Sequence, residues 1–185
     1  MKLLIASDIH GSSYWCRKLT ERITAEAPDM IVLLGDILYH GPRNDLPREY
    51  DPKQVIDMLN PLAKKLICVR GNCDSEVDQM VLDFSVLTES TVICDGNTVL
   101  AAVHGHHIAE AKRTPTVGSA VLYGHTHVPG VFDAPECDKS ERKYINPGSV
   151  SIPKESSPNS YMTYENGAFE WKRVEDGSIY NTYTL

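Results

Sequence analysis

The sequence predicts an α/β fold that becomes mostly β in its second half. Three observations carry this. Up to residue 69, short apolar runs alternate with patterns of helical spacing. Those early runs stop at Ser-Asp, Gly-Asp and Arg-Gly-Asn, short polar stretches that suit the end of a buried strand. Beyond residue 90, strand-like runs flank Asp-Gly and Asn-Gly pairs, which mark hairpins.

The elements follow in order. Lys2 to Ala6 is a buried strand. Tyr14 to Ala27 places Leu19, Ile23 and Ala27 at helical spacing, and Pro28 ends that helix. Met30 to Leu34 is a second strand. Pro52 to Ala63 carries Val55, Ile56, Leu59 and Leu62 on one face, with proline in the first helical turn. Leu66 to Val69 is a third strand. Thr91 to Cys94 and Thr98 to Val103 flank Asp95-Gly96-Asn97 and form a hairpin. Ala120 to Tyr123 and Lys143 to Asn146 are further strands. Tyr161 to Glu165 and Ala168 to Val174 pair across Asn166-Gly167, and a last strand-like run follows Asp176-Gly177. Cys68 and Cys94 fall inside strands and are expected to be buried as small hydrophobes. Tyr14 and Trp15 are expected to pack onto the core.

The 185 residues suit one domain, 1–185, and 42% hydrophobic residues suffice for a real core. A net charge of -7 argues against general nucleic-acid binding or membrane-surface binding, which need a basic face. It does not exclude a phosphate-bearing substrate, because bound cations reverse the local charge of a site. The five cysteines are odd in number and form no Cys-x-x-Cys pair, so a reducing compartment is the simpler reading. The apolar run before Ser7-Asp8 is too short for a signal-peptide core, and no stretch approaches the roughly 18 apolar residues of a membrane span. The expectation is a cytoplasmic protein with no membrane partner.

The polar residues fall where chemistry is done. Asp8 and His10 follow the first strand, Asp36 the second and Asn72 the third. His104 follows the strand ending at Val103, and His125 and His127 follow the one ending at Tyr123. In α/β sheets, ligands bind outside the carboxyl ends of the strands. Taken singly, each residue has an ordinary explanation as a turn residue or a solvated histidine. Taken together, they deliver carboxylate, amide and imidazole to one rim, the donor types of a hydrolytic two-metal site. Two cations ~3.5–4 Å apart call for a bridging carboxylate, and Asp36 is the candidate. Asp8 and His10, like His125 and His127, stand two apart, a spacing that points both side chains the same way in extended chain. The second pair suits one metal or both. With no cysteine needed among the ligands, the donors favour Mn, Fe, Co, Ni or Zn over a zinc–thiolate site. Arg43 suits phosphate recognition, although a solvated surface arginine is the simpler reading. Arg70 has the same ambiguity.

These motifs, Asp8-Ile-His10, Gly35-Asp36, Gly71-Asn72, His104-Gly-His106 and Gly124-His125-Thr-His127, stand in the order of the calcineurin-like metallophosphoesterases, which the chain resembles. The stretches His40-Gly-Pro-Arg-Asn44, Val69 to Met80 and Ile145 to Lys154 look closer still to the YfcE-type bacterial phosphodiesterases. The resemblance implies a four-layer αββα sandwich with two mixed β-sheets. It assigns Asp8, His10, Asp36 and His127 to one metal, and Asp36, Asn72, His104 and His125 to the other. A hydroxide bridging the metals would attack a small phosphodiester substrate in line. The YfcE-type group is associated with manganese, and its members suggest a homo-oligomer. His106 is then a supporting residue.

Cys73 stands where much of the wider family carries a histidine that protonates the leaving group. A thiol is a poor copy of imidazolium, so good leaving groups such as phenolates are expected to react best. A phosphomonoesterase or nucleotidase would need the same ions. A rival of another class is a non-catalytic protein-binding scaffold, as in a retromer subunit of this fold. A scaffold is free to lose ligands, and here the ligand positions are all filled. Specificity is expected to lie in loops 38–52, 106–118 and 132–142.

Overall fold

A computed structural model describes residues 1–108, 118–136 and 138–185. Cys137 and residues 109–117, the greater part of the expected loop 106–118, lie outside the described residues. The strands are β1 (Lys2–Ala6), β2 (Met30–Leu33), β3 (Leu66–Cys68), β4 (Ser90–Asp95), β5 (Thr98–Val103), β6 (Ala120–Leu122), β7 (Gly130–Phe132), β8 (Lys143–Asn146), β9 (Ser160–Glu165), β10 (Ala168–Arg173) and β11 (Ile179–Thr184). The α-helices are α1 (Ser13–Glu26), α2 (Pro52–Leu59) and α3 (Glu76–Gln79), and a 3-10 helix covers Asn60–Lys65.

Two mixed sheets result, ordered β11-β10-β9-β1-β2-β3 and β4-β5-β6-β8-β7. Strands β1, β2 and β3 run parallel, and so do β5, β6 and β8. Each parallel core is buried on both faces, so its strands read as continuous apolar runs. Along β1, Leu3 and Ile5 face the second sheet, where they meet Leu100, Ala102, Leu122 and Ile145. Leu4 and Ala6 face the other way, onto Cys16, Leu19 and Ile23 of α1 and Val55 and Leu59 of α2. The outer face of the second sheet carries Ala101, Val103, Val121, Tyr123 and Tyr144, with Ile108 packed on them. Two mixed sheets with helices are thus the architecture, and the described residues contain no helix on that last face.

Local chemistry sets the boundaries. Ser12 caps α1 by accepting from the Trp15 N–H, and Ala27 closes it in the left-handed conformation at φ 47°. Trp15 packs against the helical side of the core, as expected. The helix expected over Pro52–Ala63 ends early. Pro61 has no N–H to donate to the Asp57 carbonyl, so α2 stops at Leu59 and the chain tightens into the 3-10 turn. Both hairpin loops have two residues, Gly96-Asn97 and Asn166-Gly167. Cys94 corrects an expectation. It is exposed, because Ile93 takes the inward face of edge strand β4 and alternation sends Cys94 outward. Cys68 is buried as expected. Strand β7 and helix α3 are elements that the apolar pattern does not predict. No helix among the described residues is long and apolar enough to cross a membrane.

Candidate metal centre

The carboxyl ends of β1, β2 and β3 in one sheet face those of β5 and β6 in the other. All seven strand-end residues meet in this seam. The side chains of Asp8, His10 and His127 bring ligand atoms within 4.8 Å of one another, and so do Asp36, His104 and His125. Asp36 stands between the groups. Its Oδ2 is 3.7 Å from His10 Nε2 and 3.4 Å from His104 Nε2. Asn72 joins the second group, with Oδ1 3.2 Å from His104 Nε2. His125 and His127 therefore go to different groups.

The backbone differs from the extended geometry expected of the two His/Asp pairs. Asp8 (φ 59°), His10 (49°), Asp36 (56°), His125 (64°) and His127 (61°) are all left-handed. The side chains converge through sharp reversals after each strand and not through strand alternation. Such conformations cost of order 1 kcal/mol or more each outside glycine, and they gather at functional sites.

The hydrogen bonds around the cluster fix the histidine rings. The Nδ1 of His10 donates to the Tyr39 carbonyl (2.8 Å), that of His104 to Leu34 (2.6 Å) and that of His127 to Ile152 (2.6 Å). A carbonyl only accepts, so Nδ1 carries a proton and each Nε2 is the ring atom turned inward. His10 Nε2 and His127 Nε2 then face each other at 3.4 Å, and the Asp8 Oδ1 lies 3.3 Å from His127 Nε2. Asp8 Oδ2 accepts from the His125 N–H, but its buried Oδ1 has no hydrogen-bond donor among the described residues. Potential ligand atoms thus converge on one another in a buried space. Their donor set, oxygen and imidazole held by outer hydrogen bonds, fits divalent cations.

Electrostatics agree. Burial favours the neutral acid at Asp8, yet the imidazoles of His127, His104 and His10 hold its carboxyl well below the usual carboxylate range. At Asp36 burial is likewise outweighed by His104, and the carboxyl is lowered. Burial would keep His104 neutral, but Asp36 and Asp8 push it up to about 9 in the metal-free protein. His127 is raised by Asp8 against the effect of burial. Burial and the charge of His104 lower His125. His106 lies behind His104, ring centroids 5.3 Å apart, and burial together with His104 holds it at about 4.

Sequence reasoning passes over Asp74. This buried carboxylate accepts from the backbone N–H groups of Asp36 (2.9 Å), Ile37 (2.9 Å) and Gly71 (2.7 Å). It therefore clamps the ends of β2 and β3 together behind Asp36. Burial pushes it up to about 6, against those backbone donors. Gly71 belongs to the same clamp, since a Cβ there would collide with the Asp36 side chain. On the other side, Ser149 and Ser151 donate to the Asp8 carbonyl (2.9 and 3.0 Å), and Asn146 donates to the Gly124 carbonyl (2.8 Å). Asn146 to Ser149 is thus a turn that positions both the β1 and β6 ends.

Cys73 is half-buried. Its N–H donates to Asp36 Oδ1 (2.8 Å), and its sulfur accepts from Asn72 Nδ2 (3.1 Å). Burial and the nearby Asp36 push its thiol far above the usual range. A cavity of about 420 Å³ opens over the cluster, lined by His10, Asp36, Asn72, His125, Thr126 and His127 and by Arg43, Asn44 and Lys154. Arg43 thus faces the site, whereas Arg70 pairs with Glu89 at the surface (3.5 Å).

A pocket whose lining fits divalent cations, at the strand ends of two packed mixed sheets, defines a class. Residues 1–167 match the calcineurin-like phosphoesterase superfamily domain, and the chain belongs to that family of metal-dependent hydrolases. It is 40% identical over 181 residues to Phosphodiesterase YfcE of Escherichia coli strain K12, covering 97% of this chain and 95% of that protein. The solved structure of YfcE, a phosphoesterase from E. coli, superposes with a TM-score of 0.89 at 39% identity, over 100% of this chain and 99% of that one. Vps29 from Cryptosporidium parvum shares the fold alone, with a TM-score of 0.64 at 16% identity over 100% of this chain and 98% of that one.

Proposed function

We propose that this protein is a phosphodiesterase working through two divalent ions, with manganese the favoured metal. The observation that carries the reading is the pair of ligand groups meeting at Asp36. Asp8, His10, Asp36 and His127 would hold one ion, and Asp36, Asn72, His104 and His125 the other. The ions supply an activated water as nucleophile and neutralise charge on the phosphoryl oxygens. The chain's own part is to hold the imidazole Nε2 atoms already aimed at the ion positions. The Nδ1 bonds of His10, His104 and His127 fix three rings before any ion arrives. All these donors are present, which favours an enzyme over a scaffold free to lose them. The 40% identity to a protein named as a phosphodiesterase favours the diester over the monoester.

The test is hydrolysis of bis(p-nitrophenyl) phosphate and of p-nitrophenyl phosphate by metal-stripped protein, with and without Mn²⁺. Metal-stimulated cleavage of the diester is expected. Activity on neither substrate would defeat the enzyme reading, and a preference for the monoester would move it to a phosphomonoesterase or nucleotidase.

Cys73 enters as a weak acid at best. With its thiol raised by burial and Asp36, leaving-group protonation is poorly served, and phenolate leaving groups react best. Cys73→Ala is expected to keep its rate on bis(p-nitrophenyl) phosphate within about fivefold of the parent, since proton transfer contributes little where the leaving group departs as an anion. A loss of most activity on that substrate would give Cys73 a direct role.

A further inference from the structure

Two cations line the cavity without belonging to either ligand group, Arg43 and Lys154. They come from different parts of the chain, and each is mounted on a tight turn. Gly41-Pro42-Arg43-Asn44 is closed by the Asn44 N–H on the Gly41 carbonyl (3.3 Å), with proline fixing the first central residue. The Asn44 side chain donates to the His40 carbonyl (2.8 Å), and a Cβ on Gly41 would lie 3.1 Å from Cys73 Sγ, so the turn rests on the metal-side wall. Beyond it the loop is tied to α1 by Ser12 Oγ on the Arg48 carbonyl (2.6 Å) and by the Arg17–Glu49 pair (2.7 Å).

Lys154 opens the second turn. The Ser157 N–H and hydroxyl both donate to its carbonyl, and its own N–H donates to the carbonyl of the candidate ligand His127 (3.3 Å). The central residues Glu155 (φ 53°) and Ser156 (φ 58°) are both left-handed without being glycine. Strain of that kind persists where the surroundings demand one geometry. Both cationic side chains are exposed, and among the described residues neither has a carboxylate partner.

Charge then decides what they are for. Two divalent ions on the carboxylates Asp8 and Asp36 leave about two positive charges, which an ionised water and a phosphodiester monoanion cancel. Asp74 does not line the cavity, and its oxygens are taken by backbone N–H groups. The charges of Arg43 and Lys154 are therefore unmatched by a simple diester. A second phosphate on the substrate, with nearly two negative charges, matches them.

Resting on the phosphodiesterase reading above, we infer that Arg43 and Lys154 form a second anion subsite, selecting a phosphodiester that carries a further phosphate group.

The test compares kcat/KM of the Mn²⁺-loaded protein on the p-nitrophenyl ester of thymidine 5′-phosphate with and without a 3′-phosphate. The parent is expected to prefer the 3′-phosphorylated ester. That preference should fall about tenfold in Arg43→Gln and again in Lys154→Gln, the size of one charge-assisted hydrogen bond. No preference in the parent overturns the subsite. So does a substitution that lowers both rates by one factor, which would assign the side chains to the scissile phosphate. Calorimetry with thymidine 3′,5′-bisphosphate and thymidine 5′-monophosphate needs no turnover. Tighter binding of the bisphosphate, lost in the two variants, supports the subsite even where neither ester is cleaved, and equal binding of the two overturns it. Failure to cleave either ester, with the bisphosphate preference intact, defeats the phosphodiesterase reading alone.

Discussion

Asp36→Asn is expected to lower diester hydrolysis by about 10³-fold or more and to reduce bound metal, as measured by kinetics and elemental analysis of the loaded protein. The reasoning is electrostatic. Asp36 Oδ2 is the atom that faces both His10 and His104, so its charge would sit between two divalent ions. Loss of one such electrostatic contact at a reacting centre is worth several kcal/mol, hence the factor of about 10³. The substitution is nearly isosteric, and an asparagine Oδ1 can still accept from the Cys73 N–H that Asp36 Oδ1 now receives at 2.8 Å. His104 outweighs burial and the repulsion of Asp8 in lowering the Asp36 carboxyl, so the substitution gives up part of the His104 ion pair in the metal-free protein but leaves the shape of the site. Circular dichroism should therefore be unchanged. Full metal content and full rate in the variant would remove Asp36 from the bridging position.

Asp74→Asn is expected to be nearly as damaging, although Asp74 touches no candidate ligand atom through its side chain. Its two oxygens accept from three backbone N–H groups. An asparagine offers one oxygen and one NH₂, so either orientation sets a donor against a donor. Leaving buried donors unpaired costs ~1–3 kcal/mol each, and the expected loss of stability is about 2–4 kcal/mol. The β2 and β3 ends should also drift apart, taking Asp36 and Asn72 with them, and metal affinity should fall by about 10–100-fold as for other outer supports of metal ligands. Denaturant unfolding and metal titration measure the two effects separately. A variant with weakened unfolding resistance but normal metal affinity would make Asp74 a purely structural clamp.

The contrast between these two residues shows what can be read from sequence. Asp36 was legible because it ends an apolar run, and the other ligands announce themselves the same way. Order, residue type and strand ends together outweigh the ordinary readings of each. Asp74 was not legible, because its work is done on backbone N–H groups whose convergence exists only after β2 and β3 pair. Lys154 is hidden for a related reason, since nothing in Pro-Lys-Glu-Ser says that the turn folds back over His127. The two-residue spacing of Asp8 and His10 predicts that they converge, but not the left-handed route by which they do. Left-handed backbone at polar residues leaves no periodic trace. The fold was legible wherever both faces of a strand are buried. It was least legible at edges: three-residue β7 follows Pro129, and Cys94 on β4 reads as core until its strand is known to be outermost.

The two ligand groups are each assembled across the seam between the sheets. Asp8 and His10 come from one sheet and His127 from the other. Asp36 faces His104 and His125 in the same way. Bound ions would act as rivets between two halves that otherwise touch through a greasy layer of Leu3, Ile5, Leu100, Leu122 and Ile145. The distance between ligands from the two sheets is then set by the thickness of that layer, much as a jaw's bite is set at its hinge. Trimming or swelling a side chain deep in the layer would alter the chemistry without touching a single polar residue. In this molecule the tuning screw for catalysis lies in the oil, not in the water.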